Sequence, residues 1–181
     1  YTSLSYNYLD SKDASSIEAE ISGDAYDRNP SLGHTNTAQL APSIYGNKHR
    51  IVGNVNKTFK YGSDKWETTL SLFFEYAKGG RFSYTYSGDI NNDGSGLNDL
   101  IYIPTQAELN QMTFSTASGL TEQAQRNALE AFIAQDDYLN ANRGEYAEKY
   151  AALSPWFSRW DFRLLQDYNL NNGNKIQFFI M

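Results

Sequence analysis

Apolar and polar residues alternate with a period of two through five stretches of this chain. From Lys65 to Tyr76, Trp66, Leu70, Leu72, Phe74 and Tyr76 share one parity with Thr68, while Glu67, Thr69, Ser71 and Glu75 hold the other. Successive strand side chains point to opposite faces, so this pattern predicts a strand with one apolar side. The parity resumes beyond Gly79 and Gly80 with Phe82, Tyr84 and Tyr86. If the glycines kink the strand without ending it, it runs over 65–86. Just upstream, Ile51, Gly53, Val55, Phe59 and Tyr61 alternate with Arg50, Asn54, Asn56, Thr58 and Lys60, predicting a strand over 48–61. Only Gly62 to Lys65 separates the two, a connection of hairpin length.

The same period marks both ends of the chain. Trp160, Phe162, Leu164, Tyr168 and Leu170 alternate with Arg159, Asp161, Arg163 and Asp167, predicting a strand over 156–170. A tight turn at Asn171 to Asn174 then leads to Ile176, Phe178 and Ile180 on a strand over 175–181. Leu4, Tyr6 and Tyr8 alternate with Ser3, Ser5 and Asn7 on a strand over 1–9. The remaining connections are long, 10–46 and 87–154, and in an antiparallel meander they fall at the same end of the sheet. Within the longer one, Leu120 and Thr121 mark a helix start. Ala124, Ala128, Leu129, Phe132 and Ile133 then recur at helical spacing up to about Gln135. A shorter helix is predicted at Gln106 to Met112, after Pro104. These elements predict an ordered lid.

The fold class that follows is all-β: an antiparallel up-and-down meander, forming part of a transmembrane β-barrel with long extracellular loops. Tight turns at one end and long loops at the other are the arrangement of outer-membrane barrels. One strand face carries Trp, Tyr, Phe, Leu and Ile; the other carries Arg50, Lys60, Glu67, Glu75, Arg159, Asp161, Arg163 and Asp167. In a soluble protein a second sheet would have to cover the apolar side, and five strands leave little material for one. Trp66, Tyr61, Trp156 and Trp160 are expected near strand ends, at the height of an aromatic girdle. Five strands do not close a barrel, so the 181 residues are expected to be an excerpt of a longer one.

Composition narrows the classes further. With 14 Tyr, 10 Phe and 3 Trp the chain is too aromatic for a disordered tail. A net charge of −6 argues against a nucleic-acid partner. The absence of cysteine excludes disulfides and thiolate metal sites. A mean hydropathy of −0.60 reflects the lack of a transmembrane helix, but alternating strands leave the same average.

Two strings, GDINNDGSGLNDLIYIP (Gly88 to Pro104) and RGEYAEKYAALSPWFSRWDFRLLQDYNL (Arg143 to Leu170), resemble the late barrel region of TonB-dependent outer-membrane receptors of Bacteroidota. The likeness is to the Oar-like subgroup with an N-terminal carboxypeptidase-regulatory-like domain. It is most specific at Asn98-Asp99-Leu100-Ile101-Tyr102 and from Asp161 to Tyr168. The resemblance implies a plugged 22-stranded barrel in the bacterial cell outer membrane. It also implies import of a scarce small-molecule, peptide, glycan or metal-chelate ligand, and force from a TonB-type energy-transducing protein. A surface lipoprotein is a further expected partner, along with outer-membrane lipid. Plug and TonB-box residues are not among these strings.

Asp89, Asn91, Asp93 and Ser95 occupy alternate positions with Gly94 at the bend, the first half of a calcium loop with hard oxygen ligands. The twelfth position is Leu100 and no carboxylate; Asp99 is one short, so the candidate is a calcium site of a type other than the EF-hand. A polar turn held by Asx hydrogen bonds is the competing reading. Tyr26, Tyr45, Tyr102, Phe114 and Tyr138 are candidate ligand-stacking aromatics in the loops. The adjacent carboxylates Asp136 and Asp137, and the pair Glu18 and Glu20, read as solvated groups and not as a glycosidase pair. His34 and His49 lack a triad arrangement and read as surface or loop-packing residues. No enzymatic activity is therefore expected. A secreted carbohydrate-binding β-sandwich with a calcium loop is the second reading, and a β-rich hydrolase a distant third.

Overall fold

The computed structural model describes residues 1–14, 19–117, 119–170 and 173–180. Its elements in chain order are β1 (Thr2–Tyr8), β2 (Lys12–Asp13), α1 (Ser22–Asp27), β3 (Ala41–Pro42), β4 (His49–Tyr61), β5 (Trp66–Lys78) and β6 (Arg81–Phe82). There follow α2 (Gln106–Gln111), α3 (Glu122–Gln135), α4 (Asp137–Ala141), β7 (Ala152–Leu153), β8 (Trp156–Asn169) and β9 (Lys175–Ile180). The chain divides into two compact units. The sheet unit comprises Tyr1–Asp10, Gly46–Gly80 and Ser154–Met181; the loop unit comprises Ser11–Tyr45 and Arg81–Leu153.

The sheet unit is one antiparallel sheet of five strands in the order β1-β4-β5-β8-β9. All five expected strands are present, and each pairs with its neighbour in the expected meander. Register places side chains in cross-strand rows. On one face these run Tyr6–Ile51–Tyr76–Ser158, Leu4–Gly53–Phe74–Trp160, Thr2–Val55–Leu72–Phe162, Lys57–Leu70–Leu164–Ile180, Phe59–Thr68–Gln166–Phe178 and Tyr61–Trp66–Tyr168–Ile176. The opposite face carries the ion pairs. Because the period is two, a slip of one residue would exchange the faces, so the apolar rows also fix the register.

The β4–β5 turn is built on left-handed backbone at three successive positions, Gly62 (φ 61°), Ser63 (φ 54°) and Asp64 (φ 61°). Lys65 N–H donates to the Gly62 carbonyl at 3.2 Å. Asn169 fastens this turn to β8, its amide group donating to the Asp64 carbonyl at 2.9 Å and its N–H to Lys65 at 2.8 Å. The second expected turn, Asn171 to Asn174, lies partly outside the described residues.

One expectation is corrected: β5 ends at Lys78 and does not continue to 86. The cause is the close approach of the backbone at Ser154 and Pro155. Gly79 N–H donates to the Pro155 carbonyl at 3.0 Å, and a Cβ on Gly79 would stand 2.5 Å from that of Ser154. The chain leaves the sheet there, and Arg81–Phe82 pairs with Ala152–Leu153 in the loop unit.

The loop unit has its own core, Ile103, Ile133, Leu139 and Ala147, with Tyr84, Ile101, Leu129 and Tyr138 packed against it. Both expected helices form. Thr121 caps α3 by accepting from Ala124 N–H, and Thr105 and Glu108 form a reciprocal capping box at α2. Arg126 joins them, its guanidinium donating to the Leu109 carbonyl at 3.0 Å and the Met112 carbonyl at 2.9 Å. Those carbonyls lie at the C-terminal end of α2, where intrahelical donors run out. The pairs β2–β3 and β6–β7 and the helices α1 and α4 are additions that the periodicity does not mark. Each is too short to show a period.

Candidate functional site

In the sheet unit, the side chains of interest arise directly from strand alternation. The apolar face is uncovered: Leu4 is 71% exposed, Trp160 63%, Phe178 65% and Ile180 68%. Among the described residues of this sheet, Gly53 is buried on the apolar face, under the Phe74 ring, and Ala77 on the opposite face. Aromatic side chains gather near both ends of the apolar face. At the loop end, Tyr76 and Trp156 stack at 4.7 Å, Tyr8 meets His49 at 5.2 Å, and the Tyr6 hydroxyl bonds His49 Nδ1 at 2.8 Å. At the turn end, Trp66 and Tyr168 lie 4.5 Å apart, and the Tyr61 hydroxyl bonds Thr68 at 3.0 Å. Trp160 departs from its expected place near a strand end. It sits four residues into β8, stacked on Phe74 at 5.2 Å, in a row where Gly53 leaves room for the Phe74 ring.

The other face is an ionic lattice. Arg50 meets Glu75 at 2.6 Å, Arg159 meets Asp161 at 3.0 Å, Lys60 meets Glu67 at 3.9 Å and Lys175 meets Asp167 at 2.8 Å. Gln177 adds a bond to Asp167 at 2.7 Å. An open groove of about 520 Å³ lies along this sheet, lined by Asn54, Asn56, Ser71, Phe73, Asp161 and Arg163 among others.

In the loop unit, the five candidate aromatics are not brought together. Tyr26 donates to the Asp93 carbonyl at 2.9 Å, and burial together with that acidic neighbour pushes its hydroxyl up from its ordinary range. Tyr45 is exposed. Tyr102 donates to Glu108 at 2.8 Å, which raises its pKa, and lies edge-on to Tyr146 at 5.2 Å. Phe114 lies under the Arg126 guanidinium at 5.9 Å. Tyr138 accepts from Glu148 N–H at 2.7 Å and packs on the core.

A different set lines a recess of about 470 Å³, with Lys12, Leu32, Leu40, Pro42, Tyr146 and Lys149 on its walls. Lys149 is almost wholly buried and donates to the Asn29 side chain. Loss of water pulls its pKa down, against the charge of Asp13. Nothing in the sequence pattern marks these residues, because they meet only when the two loops fold on each other.

The acidic loop closes on itself. Asp89 accepts from the N–H groups of Asp93 (3.1 Å) and Gly94 (3.0 Å), Asn91 accepts from Asp93 (2.8 Å), and Asp93 accepts from Ser95 (2.9 Å). Ser95 accepts from Leu97 N–H at 3.3 Å, and Asp99 from Ile90 N–H at 2.7 Å and Asn91 N–H at 3.3 Å. The Ser95 N–H bond is the main reason the Asp93 carboxyl lies below its ordinary range. These are the Asx hydrogen bonds of the competing polar-turn reading. Among the described residues no three His, Cys, Asp or Glu side chains converge as a metal-binding group.

The carboxylates considered for catalysis are spent or scattered. Asp136 caps α4 through Leu139 N–H at 2.8 Å and accepts from the Tyr84 hydroxyl at 2.7 Å; burial, and after it this bond to a carboxylate, push that hydroxyl well above its usual range. Glu18 lies outside the described residues. His34 is occupied within its loop, Nδ1 accepting from Asn36 N–H at 3.1 Å. Comparison with family models, with curated proteins and with solved structures finds no match for this chain.

Proposed function

We propose that the sheet unit is a stretch of the wall of a bacterial outer-membrane β-barrel, and that the whole protein is a transporter or receptor of the TonB-dependent kind. The observation that carries this reading is the uncovered apolar face between two aromatic belts. Burying one large apolar side chain is worth about 1.5–3 kcal/mol. Leu4, Tyr6, Phe59, Trp160, Phe162, Ile176, Phe178 and Ile180 are all exposed. Because each is about half to three-quarters exposed, left in water they forgo roughly 7–14 kcal/mol, comparable to the net stability of a whole domain, about 5–15 kcal/mol. Something must cover this face. The ten-residue interval from Trp66 to Tyr76 rises about 33 Å along the strand. At a barrel tilt of about 40° that projects to about 25 Å, the height of the lipid-facing band of outer-membrane barrels.

Polar residues on this face fall where the reading tolerates them. Thr68 and Gln166 bond each other at 2.6 Å beside the turn-end belt. Lys57 is nearer the middle and lies 5.7 Å from the Phe59 ring, so it carries the largest cost here and must reach along the strand towards the turn-end headgroups. The lattice face then looks into a polar lumen, and the loop unit lies outside the cell. The recess at Lys149 is its foremost place for ligand contact. Binding and translocation, with no chemical step, are the function. The secreted sandwich reading needs a second sheet over the apolar rows, and the described residues hold only the five-stranded sheet and two pairs of two-residue strands.

Paired substitutions in the full-length protein test this. Leu72→Arg on the apolar face is expected to destabilise the protein folded in phosphatidylcholine vesicles by about 2–4 kcal/mol. Asn54→Arg on the opposite face is expected to cost under about 1 kcal/mol. Equal costs, or the reverse order, would reject the membrane wall. Capture of the full-length protein by the periplasmic domain of a TonB-type partner tests the transport half.

A further inference from the structure

Charge is divided unevenly between the two faces of the sheet unit. Every acidic residue on the five strands, Glu67, Glu75, Asp161 and Asp167, lies on the lattice face, whereas the apolar face carries His49, Lys57 and Lys78 and no acid. In a chain of 21 acidic and 15 basic residues this reverses the overall balance. Lys57 stands in the turn-side half of β4, while His49 and Lys78 stand together at the loop end. Tyr8 pairs with His49 and Lys78 with Trp156, and the β4–β5 register, carried one position beyond Arg50–Ala77, sets His49 beside Lys78. The four form one row, Tyr8–His49–Lys78–Trp156, at the edge of the apolar face. Trp156 joins its two basic members: its ring centre lies 6.0 Å from that of His49 and 5.9 Å from Lys78 Nζ. Neither basic group has an ion pair among the described residues. The Tyr6 hydroxyl occupies His49 Nδ1 and leaves Nε2, and an aromatic face attracts the Lys78 ammonium without neutralising it.

We infer that this row seats the phosphate of an anionic lipid headgroup in the leaflet on the loop side. The inference rests on the membrane wall proposed above and adds to it a lipid preference and the residues that set it. At the end of an apolar band the row meets headgroups and not acyl chains. A long basic side chain is stable there because its stem lies on apolar surface and its polar end stays in the wet layer. Trp156 and Tyr8 supply the ring surfaces suited to that level. Two nitrogen donors then face a phosphate, and no carboxylate on the same face competes for them or repels it. A zwitterionic headgroup also offers a phosphate, but it brings an ammonium that Lys78 repels, so the anionic lipid is preferred. Attraction of this kind is worth about fivefold in binding per basic residue near the membrane surface.

Fluorescence quenching in the full-length protein, reconstituted in lipid vesicles, tests this. A fluorophore is attached at Ser158→Cys, one row nearer the centre of the apolar face. The vesicles contain phosphatidylglycerol or phosphatidylcholine with a nitroxide at a shallow acyl position. Phosphatidylglycerol is expected to quench with an apparent association constant about fivefold or more above that of phosphatidylcholine. Lys78→Gln is expected to lower that ratio at least about twofold, and together with His49→Gln to bring it to about one. Lys78→Arg, and Lys57→Gln at the other end of the face, are expected to leave it unchanged. Strong but equal quenching by both lipids keeps the membrane wall and overturns the preference. A ratio unaltered in the double variant means that other residues set it, which overturns the assignment to this row. Absence of quenching by either lipid rejects the wall and this inference together. Glycerol phosphate added at matched ionic strength is expected not to alter the ratio; if it abolishes it, the row holds a water-borne phosphate and not a lipid.

Discussion

Asp93 concentrates more of the loop unit's hydrogen bonding than any periodicity announces. Its Oδ1 takes the Ser95 N–H, its Oδ2 takes Asn98 and Thr35, and its carbonyl takes Tyr26. Donors facing an ionised carboxylate favour the charged form, so its folded pKa falls below the ordinary value of 3.8. The sign of the linkage follows: this contribution to stability is complete above pH 3.8 and is lost as pH falls through the lower, folded value. A carbon-detected NMR titration of the Asp93 carboxyl is expected to give a midpoint below 3.8, and a midpoint at or above 3.8 would contradict these bonds. In the sequence, the alternation Asp89, Asn91, Asp93, Ser95 with Gly94 made a loop of oxygen acceptors legible. Asn98 and Thr35 were not, because the first sits outside the alternation and the second lies 58 residues away from Asp93.

At the scale of elements, the long strands were readable because a one-sided sheet imposes period two over many residues, and local signals made the helices readable too: Thr121 with the helical spacing after it for α3, and Pro104 for α2. The end of β5 was not. Phe82 and Tyr84 keep the parity of Tyr76, yet Gly79 admits the backbone of Ser154 and Pro155, a contact between segments remote in sequence. Pattern cannot see such a crossing. The β4–β5 turn is the element most exposed to single substitution. Gly62 holds φ 61°, and a Cβ there would stand 3.0 Å from Trp66 Cδ1. Left-handed backbone costs an L-residue about 1–2 kcal/mol. Gly62→Ala is therefore expected to lower stability by about that amount in urea titrations of the vesicle-folded protein. No change would mean that the turn relaxes into another geometry and that the register is not pinned there.

For the molecule as a whole, the proposed membrane wall has the sheet unit and the loop unit obey different solvents. The loop unit buries Ile103, Leu109, Ile133 and Leu139 as a water-exposed body does, while the sheet unit keeps its largest side chains outside. A protein folding in water alone would leave its most apolar surface unpaid; lipid removes that cost without further protein. The single measurement that bears most directly on this account is site-directed spin labelling along β8 in the full-length protein in lipid vesicles. Cysteine is introduced in turn at residues 160 to 164, a segment free of native cysteine. The account predicts that labels at 160, 162 and 164 are reached by oxygen dissolved in the bilayer and shielded from a water-soluble nickel complex. Labels at 161 and 163 are predicted to show the opposite. Equal access of the nickel complex to all five positions, or no alternation along the strand, would contradict it.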